Sequence, residues 1–156
     1  MKKLLPLFIL LLAVSAFGQI KAPSGFTATY DKFKDLSHVY FSGYGVGVME
    51  SVGFFSNGAD LVKDQERFYL SFAGTRCHGF CFNDSTLIVL ADGERIHSGT
   101  DKGLGDSAFY MVTRDTIAKI AAAKLVEYQV GRFEGKWEAK TLAKFKTLLD
   151  LGTVAK

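Results

Sequence analysis

Residues 76–81, Arg-Cys-His-Gly-Phe-Cys, are the one place in this chain where residue types and spacing could do chemistry. Cys77 and Cys81 are its only two cysteines, and His78 is one of three histidines. Two thiols four residues apart admit three readings: a disulfide, a redox pair, or part of a copper or zinc site. Four residues of extended strand span ~13 Å, whereas a disulfide needs Cα atoms within about 7 Å. Pairing therefore requires a turn between them, and Gly79 is where the backbone can make it. Closing so small a loop contributes about 2 kcal/mol by chain entropy, before strain. A redox pair needs a thiol pKa lowered by a cation or a helix N-terminus. Arg76 and His78 are the adjacent cations, but the spacing is not Cys-x-x-Cys and no βαβ pattern precedes it. A metal site would have to join both thiolates and His78 to a distant His38 or His97. Haem attachment is excluded, because Phe82 and not His follows Cys81.

The amino terminus weighs on this choice. Lys2 and Lys3 precede an apolar run over 4–17, broken only by Pro6 and Ser15, and Ala16-Phe17-Gly18 offers a small-residue cleavage site. The run falls short of the roughly 20 apolar residues of a membrane span. Residues 1–18 read as a signal peptide and 19–156 as a single exported domain, periplasmic or secreted, with no membrane span after cleavage. No cysteine follows the cleavage site to take a lipid. Exported proteins with two cysteines usually pair them, so a Cys77–Cys81 disulfide is the expectation, with Arg76 and His78 as a candidate functional turn. The alternative is a thiol-redox or copper/zinc protein centred on Cys77, His78 and Cys81.

Other chemistries find no motif. There is no Gly-x-Ser-x-Gly elbow to expose a nucleophilic serine. Gly43, Gly45 and Gly47 lie inside a β pattern with no helix after them, so they are not a phosphate loop. Asp101 and Asp106 lack calcium-loop spacing. The formal charge of +3 falls by two, to +1, when Lys2 and Lys3 leave. That is no electrostatic footprint for nucleic acid. No cofactor and no metal is implied.

The elements that must position these residues are mostly strands. β-type composition or alternation marks 26–30, 37–42, 44–55, 67–74, 107–113 and 125–130, and 86–91 is a continuous apolar run suited to burial on both faces or near a sheet centre. Gly43, Gly45, Gly47 and Gly53 suggest bulges or close backbone approach in the third of these. Asp92-Gly93 predicts a hairpin with 94–97 returning, and 98–106 reads as a loop. Residues 133–137 look like a short strand partner. Thr113 or Asp115 can cap a helix to about Ala123, and 139–151 is the clearest helix, ended by Gly152. The fold class is therefore α+β: a mostly antiparallel sheet of about six to eight strands, with two late helices covering one face. A β-sandwich with a C-terminal helix is the alternative. Residues 67–95 are placed at the sheet centre. Tyr44, Phe54, Phe55, Tyr69, Phe80 and Phe82 are numerous enough to form an exposed patch for a partner or ligand, unless both faces are covered. The functional expectation is a non-catalytic binding or assembly module for a protein or small-molecule ligand.

Overall fold

Alternating apolar residues become nine strands, and the described residues are 22–45, 48–57, 67–75, 81–82, 85–100 and 105–151 of the computed structural model. The strands form two antiparallel sheets. The first takes β1 (Thr27–Asp31), β2 (Leu36–Tyr44), β3 (Val48–Asn57), β4 (Arg67–Gly74) and β7 (Ser107–Val112), side by side in that order. The second runs β6 (Glu94–Thr100), β5 (Thr86–Ala91), β8 (Val126–Val130), β9 (Phe133–Trp137). Helices α1 (Arg114–Ala122) and α2 (Ala139–Leu151) pack on each other. This is an α+β fold with nine strands among the described residues, where about six to eight were expected.

Side-chain parity builds the core. Val39 and Phe41 of β2, Val52 and Phe54 of β3, Phe68, Leu70 and Phe72 of β4, and Tyr110 of β7 all point to one face of the large sheet. Leu87, Val89, Val126, Tyr128 and Trp137 meet them from the small sheet, while Ile117, Ile120, Phe145 and Leu148 close the core from the helices. Phe145 stands edge-on to Phe41 at 5.4 Å and 4.8 Å from Trp137, so α2 bridges the two sheets. Thr113 caps α1 by accepting from the Thr116 backbone N–H at 3.1 Å. The Arg114 guanidinium reaches across to the Leu149 carbonyl of α2 at 2.9 Å.

Two expectations change. Residues 67–95 do not share one sheet, because β4 is interior to the first and β5 to the second. The cysteine segment therefore links the sheets. β5 lies interior to its sheet, the second of the two placements its apolar run suggested: Leu87 and Val89 are buried on one face, and Ile88 and Leu90 are half-buried on the other beside a hollow of about 330 Å³. β6 continues to Thr100 instead of giving way to a loop after His97, since β5 supplies partners up to Thr86↔Thr100. The Asp92-Gly93 hairpin is as expected, with φ of +50° and +86°.

Candidate functional site

Of the cysteine turn, Arg76, Cys77, His78 and Phe80 lie outside the described residues. Cys81 precedes the fully buried Phe82, whose N–H reaches the Gly105 carbonyl at 3.2 Å. No described cysteine is a free thiol. The cation at Cys81 is one the sequence did not suggest: Arg132, from the β8–β9 turn, donates to Cys81 Sγ at 3.6 Å. His38 and His97, proposed as distant ligands, stand in different sheets. Among the described residues, no group of three His, Cys, Asp or Glu could hold a metal ion.

His38 belongs to an aromatic ladder on the outer face of the large sheet. Its ring stacks on Tyr40 at 4.6 Å and on Phe55 at 4.5 Å, and Nε2 shares a 2.6 Å hydrogen bond with the Tyr69 hydroxyl. Tyr69 in turn stacks on Phe109 at 4.7 Å. Burial holds the His38 imidazole below its ordinary pKa and pushes Tyr69 up to about 12. Of the six aromatics expected as a patch, the five that are described do not gather into one. Phe54 and Phe82 are core at 0 % exposure, Tyr69 and Phe55 belong to the ladder, and Tyr44 stands 82 % exposed at the far end of β2.

The arrangement with most chemical content involves none of the cysteines. Glu50 of β3 points into the core alongside Val48 and Val52 and is 7 % exposed. A carboxylate there must be hydrogen-bonded to survive. Two long-range donors meet it: the Tyr128 hydroxyl of β8 donates to Oε1, and Trp137 Nε1 of β9 donates to Oε2 at 2.6 Å. Glycines make the approach possible. A Cβ at Gly135, the register partner of Tyr128, would overlap the phenol. A Cβ at Gly45 would come within 2.5 Å of Glu50 Oε1 and 2.7 Å of the Tyr128 hydroxyl. Burial and the bond to Glu50 drive the Tyr128 hydroxyl far above its ordinary pKa, so it remains a donor.

These groups form the floor of a cleft of about 700 Å³ between the ends of the two sheets and the start of α2. Tyr44 and Gly43 line it from β2, Glu127 and Lys136 from the small sheet, and Glu138 and Thr141 at the head of α2. Gly43 is the register partner of Glu50, and a Cβ added there meets nothing within 4 Å. The space beside the carboxylate is therefore open. Binding sites of small molecules combine this range of volume with aromatic walls and a few convergent polar groups. Sequence alone shows one trace of this site: Glu50 interrupts an apolar face. Compared with known proteins, the chain matches no family model, no curated sequence and no solved structure.

Proposed function

We propose that the protein is an exported, non-catalytic ligand-binding module whose ligand sits in the cleft over Glu50, Tyr128 and Trp137. The observation that carries this reading is the buried carboxylate, held by two fixed donors at the floor of a 700 Å³ opening. Such a floor gives orientation and specificity, as binding sites require. The apolar leader supports export, and a Cys77–Cys81 disulfide near the Arg132 turn completes the reading as a structural staple. No helix among the described residues is long and apolar enough to cross a membrane.

Gly43 provides the test. Gly43→Phe places a ring in open space beside Glu50 and fills the cleft. The small-molecule fraction of the medium or envelope extract of the exporting cell is screened by thermal shift against both proteins. A component that raises the melting temperature of the parent and leaves Gly43→Phe unmoved supports the proposal. Equal shifts in both, or none in either, refute it. The unreduced mass of the mature protein reports on the staple, being two hydrogens short of the dithiol if the cysteines pair.

A further inference from the structure

Among the described residues, Glu50 is paired with neutral donors: a phenol and an indole. No described Lys, Arg or His forms an ion pair with it. Carboxylates removed from water are stabilised by a counter-charge, and where the described residues supply none the open side is where one can arrive. That side faces the cleft, next to the empty position above Gly43. The remaining charges on the lining favour the same sign of ligand, with Glu127, Glu134 and Glu138 set against Lys136. The amino end of α2 would by itself attract an anion, but Glu138 already places a carboxylate there. Tyr44, 82 % exposed at the mouth, adds a π surface that attracts cations and packs apolar stems. A bare metal ion fits less well, since the described residues bring no three ligating groups together.

We infer that the cleft binds a cationic amine, an ammonium group on an aromatic or apolar stem, with Glu50 as its counter-ion. This rests on the cleft being the ligand seat, and the experiment separates the two claims. Trp137 is the only tryptophan of the chain and lies on the cleft floor, so its fluorescence reports occupancy. Three probes of matched shape are titrated at low salt: phenethylamine, 2-phenylethanol and 3-phenylpropanoate. The amine binds about tenfold or more tighter than the alcohol, the scale of one desolvated charge contact, and the acid does not bind. Glu50→Gln reduces that preference to about threefold or less. Alcohol and amine binding equally, or the acid binding best, overturns the cationic inference and leaves the cleft as the seat. Silence toward all three probes overturns both.

A tethered amine gives a second, ligand-free test. Gly43→Lys places an ammonium beside Glu50, and Gly43→Met places similar bulk without charge. The lysine variant melts several degrees above the methionine variant, and the gap closes in the Glu50→Gln background. A gap of zero, or one of opposite sign, overturns the inference.

Discussion

Tyr128→Phe tests how the two sheets are joined. The substitution keeps the ring, which is 3 % exposed and packed between Phe72 at 5.2 Å and Trp137 at 5.0 Å. It removes only the hydroxyl, leaving Glu50 Oε1 without its protein donor. Hydrogen bonds to charged groups contribute about 1.5–3 kcal/mol, so a loss of about 2 kcal/mol is expected. For a domain of this size that lowers the melting temperature by roughly 6–10 °C. Glu50→Leu strands two donors and costs about 2–4 kcal/mol. The double variant removes both ends of one bond, so its cost falls short of the sum by about 1–2 kcal/mol. Urea denaturation followed by Trp137 fluorescence and, in parallel, by circular dichroism measures all three. If Tyr128→Phe lies within about 0.5 kcal/mol of the parent and the double variant is additive, water from the cleft satisfies both groups. The bond would then play no part in joining the sheets.

Further outcomes are expected elsewhere. Asp92 accepts from the backbone N–H groups of Lys124 at 3.0 Å and Leu125 at 2.9 Å, tying the β5–β6 turn to the α1–β8 connection. Asp92→Ala loses both bonds at a left-handed position, costing about 1–2 kcal/mol in urea denaturation, and Asp92→Asn recovers part of it. Gly53 lies beneath Tyr69, and a Cβ there would overlap the Val39 carbonyl, which cannot yield as a side chain would. Gly53→Ala therefore costs about 2–3 kcal/mol by the same assay, whereas Gly43→Ala stays within about 0.5 kcal/mol. In alkali, Tyr69 with its folded pKa near 12 favours the proton-bound native state. The stability it contributes is complete below pH ~10, is lost as pH rises toward 12, and amounts to at most about 2.7 kcal/mol. Tyr69→Phe flattens the pH dependence of the denaturation midpoint over that window. His38 and His97, both lowered by burial, act oppositely. Their contribution is present above the unfolded value of ~6.5 and is lost as pH falls below it, a decline that His38→Phe reduces.

What could be read from the chain was what local chemistry dictates. Strand β4, the Asp92-Gly93 hairpin, the Thr113 cap and helix α2 each rest on residues within one turn or one strand of each other. The glycines 43, 45 and 53 were not separable in the sequence, yet they do different things. Gly43 faces open space, Gly45 crowds the Glu50–Tyr128 bond just after β2 ends, and Gly53 lies under the Tyr69 hydroxyl. Ser98, Gly99 and Thr100 read as loop because they are small and polar, but pairing with β5 holds them in an edge strand. The division into two sheets depends on the non-local pairings β4–β7 and β5–β8, which no hairpin signal encodes.

The site was hidden for the same reason, with one exception. The donors to Glu50 lie 78 and 87 residues away, beyond any pattern of spacing. Glu50 itself falls on the core parity of β3, between Val48 and Val52. Ser37 and Ser56 also sit on core parity, are fully buried and face each other in the β2–β3 ladder. The difference is energetic: burying a hydroxyl costs about 1–3 kcal/mol before compensation, and burying a carboxylate costs several times more. A serine on the inner face therefore needs little explanation, while a glutamate there needs partners. Its partners among the described residues, one phenol and one indole, satisfy its oxygens and bring no counter-charge. An apolar residue with matching apolar neighbours would serve the fold as well or better. Stability thus gives no reason for a carboxylate at this position, and the ligand-binding role proposed for the cleft above it would supply one.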